Sequence, residues 1–201
     1  MNNDDRTSLM TLSFFLGGSI GGLWETLWAL LTRHVLEWKS GIMFFPLTNP
    51  IYGFGALIIT LYALREKRAS MVYLFSVVSC TLAEYLFSLA EEWIFGTVSW
   101  DYSSHFMNIQ GRVNLLYSLF WGLLGVLFAG KLVPVLVARV KKNGEFYQDI
   151  TFILLILYIP LAFFSLIGCF YTAYGSGSHE VLSRLFSGDM MAFFYPTRVL
   201  V

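Results

Sequence analysis

Charged residues are what this sequence lacks most. Lys, Arg, Asp and Glu make up 13% of its 201 residues, where a soluble domain carries about a quarter. That shortage excludes an ordinary water-soluble fold. The 13 basic and 13 acidic residues cancel to a formal net charge of +0, so no nucleic-acid partner is expected. Cysteine is nearly absent. Cys80 and Cys169 each lie inside an apolar run and read as small core hydrophobes. With no Cys/His pair at metal-ligand spacing, neither a zinc site nor thiol redox chemistry is expected. There is no Walker phosphate loop and no HExxH, which sets aside nucleotide hydrolysis at such a loop and zincin proteolysis. No cofactor is expected.

Apolar residues fill the space that charge leaves. They make up 57% of the chain, aromatics alone 18%, and mean hydropathy is +0.65. A span needs about 20 largely apolar residues to cross about 30 Å of hydrocarbon. Five segments approach this: about Ser8–Leu31, a second ending near Leu64, about Ser70–Phe95, about Val113–Val137 and about Ile150–Tyr174. The expected fold class is all-α, a polytopic transmembrane helix bundle of about five spans. Residues 1–175 form the bundle, and 176–201 a C-terminal tail lying along the interface.

The second span reads as interrupted. Pro46 and Pro50 forbid one continuous helix, since each removes a backbone donor and disfavours helix in the residue before it. The stretch Pro50–Leu64 is too short to cross by itself. A helix capped by Thr48 or Asn49, with Pro50 in its first turn, fits the residues. Interrupted segments of this kind mark binding sites in transporters.

Orientation follows from Lys and Arg. Arg6, then Arg65, Lys67 and Arg68, then Arg139, Lys141 and Lys142 gather on one side in short loops; Arg33, Lys39, Arg112, Arg184 and Arg198 fall on the other. The denser side should be cytoplasmic, which puts the N-terminus there in the cell membrane. This topology collects the unusual polar residues in the outer half: Glu25 of span one, Asn49 and Tyr52 at the start of span two, Glu84 and Glu92 of span three. Trp100, Asp101 and Tyr102 follow in the next loop, with Asn108 and Arg112 ahead of span four. A carboxylate at the bilayer centre costs about 2.5–3.5 kcal/mol on the insertion scale, so such residues turn inward. Glu84 and Glu91 share a helix face, and Glu92 is turned a further ~100°. Arg112 is a natural partner for one acid, whereas Glu84 has no basic residue at its depth.

Other features read as packing. Gly17, Gly18, Gly21 and Gly22 let span one approach a neighbouring helix closely, within the chain in preference to a second copy. His34, His105 and His179 read as solvated loop residues, and Trp24, Trp28, Trp38, Trp93 and Trp100 as an interfacial belt.

Several of these residues fall in strings with a family likeness. Gly22-x-Trp24-Glu25, Pro50-Ile51-Tyr52-Gly53-x-Gly55-Ala56, Glu84-Tyr85, Phe95-Gly96, Trp100-Asp101-Tyr102-Ser103, Asn108-x-x-Gly111-Arg112, Trp121-Gly122 and Pro134 occur in this order. Together they resemble successive motifs of the ABC-transporter type IV, or CmpB-like, membrane family, over roughly residues 20–135. Glu92 falls at that family's second span-three acid. The chain departs at Pro46-Leu47-Thr48-Asn49, where the family often has Gly-Pro, and at Val133, where it often has His. The resemblance implies a permease.

The expectation is therefore a small transporter or permease subunit. Glu25, Glu84 and Glu92 would hold a cation, a proton or a polar solute, Asn49 and Tyr52 would line the site, and Trp100, Asp101, Tyr102, Asn108 and Arg112 would form a lid. The alternative is a membrane scaffold or sensor whose polar cluster only fixes the fold. An intramembrane enzyme is least expected, for want of a nucleophile or metal partner. Besides the lipid bilayer, the expected partner is a second copy or a separate subunit, because five spans are few for a transport path.

Overall fold

The structure is a computed structural model and describes residues 1–34, 36, 48–174 and 199–200. Helix α1 spans Asn3–Arg33, α2 Pro50–Ala63, α3 Ala69–Phe95, α4 Leu115–Leu127, α5 Val133–Lys142 and α6 Gly144–Tyr174. A π-turn over Phe128–Leu132 joins α4 to α5. Four stretches are long and apolar enough to cross a membrane: Asn3–Thr32, Ala69–Phe95, Leu115–Lys142 and Gly144–Tyr171. The remaining helix, α2, has 14 residues, about 21 Å at helical rise, and does not span alone. The bundle is all-α, and α2 begins at Pro50, where that proline's missing amide is tolerated.

Local chemistry sets the helix ends. Asn2 caps α1 by accepting from the Asp5 amide at 2.7 Å. Asn49, not Thr48, caps α2, its side chain accepting from the Ile51 amide at 3.1 Å, with Pro50 in the first turn. Gly96, at φ 65°, ends α3 in the left-handed region that favours glycine. Pro134 explains the π-turn. A proline inside an α-helix lacks its amide and presses on the carbonyl four residues back. Widening the preceding turn relieves this, and the Val133 amide donates to Phe128, five residues back.

Close packing orders the helices. α1 and α2 run antiparallel, with backbone contact at Asn49 N to Gly18 O, 3.0 Å. A Cβ on Gly17 would lie 2.2 Å from the Ala56 Cβ, and one on Gly21 2.0 Å from the Tyr52 ring. The small-residue stripe of α1 thus faces α2 within the chain. α3 continues the alternation: Tyr62 stacks on Phe75 with ring centroids 3.9 Å apart, and Phe54 meets Phe87. α4 descends against α3, where Gly125 sits flush on Ser76 and Gly122 on Tyr73. Ala56, Ile59, Ala63, Cys80, Trp121, Phe128 and Val133 form the central core.

α6 lies at the edge. It runs parallel to α1, with Gln148 bonded to Asp5 near one end and Tyr158 against Phe14 and Phe15 further along. At its far end Phe170 packs on Phe95 and Tyr174 donates to the Ile94 carbonyl. Much of its surface is exposed apolar side chain, including Phe152, Ile156, Ile159 and Phe163, which suits a lipid-facing helix. The connection expected as a loop from about Ala138 to Asp149 is almost wholly helical, broken at Asn143. Of the tail 176–201, only Val199–Leu200 falls within the described residues; as β4 it pairs antiparallel with β1, Thr97–Val98. Lys39, Pro46, Trp38, His179, Arg184 and Arg198 lie outside the described residues.

Replacing Gly17 with Leu should destabilise the protein by about 1–3 kcal/mol through overpacking against Ala56. Thermal unfolding in detergent would record the loss. Size-exclusion chromatography should show the oligomeric state unchanged; a lost dimer would instead put this stripe at an interface between copies.

Candidate functional site

The interior face of α3 is read in steps of four: Val72, Ser76, Cys80, Glu84 and Ser88 are all buried. Glu92 continues this line, and Glu91 stands beside it. Four residues advance a helix by slightly more than one turn, so the line stays against α2 and α4 for much of its length. Small side chains at Ser76 and Cys80 admit the neighbouring helices. Glu84 then meets the bulk of Trp121.

Glu84 is 7% exposed. The Trp121 indole N–H donates to its Oε2 at 3.0 Å, and the Tyr102 hydroxyl donates to Oε1 at 3.3 Å. No basic residue pairs with Glu84 among the described residues. One helix away, the Tyr52 hydroxyl donates to Glu25 Oε1 at 3.0 Å, and the Tyr52 ring packs on Trp121 with centroids 5.1 Å apart. Glu25 and Glu84 interact electrostatically, so two carboxyl groups share one neighbourhood. Trp121 was not among the expected site residues. Its signal in the sequence was a tryptophan deep in span four, away from either interface, whose N–H needs an acceptor once buried.

Above this pair, Arg112 forms an ion pair with Glu92 and donates through Nη1 to Ser88 Oγ at 3.0 Å. The Arg112 side chain is 12% exposed and that of Glu92 30%. Glu91 accepts from the Ser99 amide at 3.0 Å and hydroxyl at 2.6 Å. The three acids of α3 thus differ: Glu84 meets neutral donors, Glu92 a guanidinium and Glu91 the loop.

That loop runs through a two-residue hairpin of β2 (Asn108–Ile109) and β3 (Val113–Asn114). Trp100 donates to the Arg112 carbonyl at 2.7 Å, which ties the loop to itself. Asp101 accepts from the Ser103 amide and hydroxyl at 2.8 and 2.6 Å. These bonds hold its exposed carboxyl below the usual carboxylate range. Asn108 bonds the Ser103 and His105 carbonyls and the Gly111 amide. Asp101 and Asn108 therefore shape the loop, and the structure does not bring their side chains to Glu84. Asn49 serves as the α2 cap. Tyr102 alone reaches down. Burial, with Glu84 and Glu25 nearby, pushes its hydroxyl well above the ordinary tyrosine value, so it remains a donor across physiological pH.

The family described as "Putative ABC-transporter type IV" matches residues 12–167. The chain belongs to this family. With its long apolar helices, it is an integral membrane protein related to transport. No curated protein and no solved structure matches it significantly. Gly17-Gly18-Ser19-Ile20-Gly21 spells the Gly-x-Ser-x-Gly of hydrolase nucleophile turns. It lies inside the continuous helix α1, where the strand-to-helix turn that exposes such a serine is absent.

Arg112→Ala should cost about 1–3 kcal/mol, less than for a fully buried pair because Glu92 retains solvent contact. A double-mutant cycle of Arg112→Gln with Glu92→Gln should return a coupling of at least about 0.5 kcal/mol. Trp121→Phe should cost a further ~1–2 kcal/mol, since it leaves one Glu84 oxygen without its donor. Chemical denaturation in mixed micelles would measure all three.

Proposed function

We propose that this protein is a small multi-pass transporter or permease subunit of the cell membrane, and that it binds one positive charge at Glu84 and Glu25. The observation that carries the reading is a buried carboxylate held by neutral donors, with a second carboxylate beside it. An intramembrane acid is at rest only when its charge is cancelled. Here a proton or a small monovalent cation would do this. Trp121 and Tyr102 orient the Glu84 oxygens without neutralising them, which leaves that charge to be supplied from outside the protein. Glu92 is already matched by Arg112, so it is assigned to fastening the fold. The family relationship supports transport. The N-terminus is placed on the cytoplasmic side by the basic residues at Arg65–Arg68 and Arg139–Lys142. A second copy or a separate subunit would complete the path.

One observation favours a scaffold or sensor instead: both Glu84 oxygens already have protein donors. Glu84→Gln separates the two readings. A glutamine carbonyl can accept from Trp121 while its amide donates to the Tyr102 oxygen, so the fold should persist in either case.

In proteoliposomes given separate proton, sodium and potassium gradients, the wild-type protein should carry one of these ions. Glu84→Gln should reduce that flux by at least about tenfold, equivalent to about 1.4 kcal/mol, with unchanged yield and monodispersity. Equal flux in the variant would refute the proposal.

A further inference from the structure

We infer that residues 99–112 are a gate over Glu84, latched shut onto α3 between β1, which pairs with β4, and Asn114, which caps α4. The inference rests on Glu84 being a charge-binding site, since a gate regulates access to it.

The segment is held together by its own bonds. Tyr102 N donates to the Gly111 carbonyl at 2.6 Å, and Trp100 reaches the Arg112 carbonyl. Asp101 and Asn108 tie their neighbouring turns, and β2 pairs with β3. These internal links let it move as one body. It is joined to α4 by the Leu115 amide, which donates to the Met107 carbonyl, and by Tyr102 and His105 packing on Tyr117, and to α3 mainly by side chains. Tyr85 donates to Gln110 Oε1 at 2.7 Å, Arg112 holds Glu92 and Ser88, and Ser99 bonds Glu91. The bond over Glu84 itself, from Tyr102, is the longest of those given a distance, at 3.3 Å. The Arg112–Glu92 pair costs most to release and the bonds nearer solvent little each, so the set opens together and only transiently.

Backbone conformation points the same way. Met107 and Gln110 sit at φ 51° and 53°, where side chains of L-residues are strained. The strained Gln110 is the residue that Tyr85 holds, so the latch keeps the segment in a conformation it would otherwise leave. Beneath the segment the Arg112 Nε is buried without a hydrogen-bond partner, a cost that opening would remove.

The test is the reactivity of Glu84 toward a water-soluble carbodiimide with an amine nucleophile, read by peptide mass spectrometry on protein in lipid nanodiscs. Exposed Glu145 serves as the internal control. Tyr85→Cys with Gln110→Cys, joined by a short bis-maleimide, ties the segment to α3; Cys80 and Cys169 are buried. The tether should slow Glu84 modification by at least about tenfold, because labelling through a transient opening follows the open population. Arg112→Gln, without the tether, should speed it. Equal rates with and without the tether overturn the gate, as does a Glu84 that stays unmodified in untethered protein while Glu145 reacts. Flux that depends on Glu84 and survives the tether would remove the gate and leave the charge site standing.

Discussion

A carboxyl group enclosed by an apolar bundle must find donors on neighbouring helices, and much of this structure arranges that for Glu84. Trp121 comes from α4 and Tyr102 from the loop that precedes it. The indole can reach only if α4 lies close to α3, and glycines at 122 and 125 allow this by accepting Tyr73 and Ser76 against bare backbone. On the other side, Gly55 makes room for the Trp121 ring. Close helix packing and the demands of this buried carboxyl are parts of one solution.

Electrostatics divides the acids by depth and partner. Glu92, nearer the end of α3, is matched by a guanidinium. Such a pair contributes modestly to stability but is costly to break from one side. Glu91 accepts from the Ser99 amide and hydroxyl, which suits a loop anchor. Glu84 and Glu25 share aromatic neighbours, Tyr52 and Trp121. The change from matched to unmatched charge runs along one helix face from Glu92 to Glu84, about two turns.

The sequence exposed the principal strains of this fold and concealed how they are resolved. Glu84 stood out because a carboxylate in an apolar run is costly wherever it faces. Pro50 with Asn49 announced a helix start, since capping and proline geometry are local. Arg112 as a partner for a span-three acid followed from matching depths. Trp121 was harder, because its role depends on which way α4 rotates, and rotation is fixed by contacts distant in sequence. The assignment of Glu91 to the face of Glu84 followed an ideal seven-residue return. The buried line instead advances by fours through Ser88 to Glu92, which places the guanidinium there. Asp101 and Asn108 look functional as bare letters in a motif, yet their bonds are spent within a few residues. Short-range turn chemistry and site chemistry use the same side chains, and only geometry separates them.

Helix α2 is too short to cross, and Tyr52, in its first turn, already touches Glu25. Its amino-terminal end therefore lies beside Glu25. Aligned peptide dipoles place roughly half a positive charge at such an end. Part of the counter-field at this site is thus written into the main chain. Exchanging one side chain for another cannot erase it, so even a variant stripped of its aromatic donors would retain some attraction for negative charge at that depth.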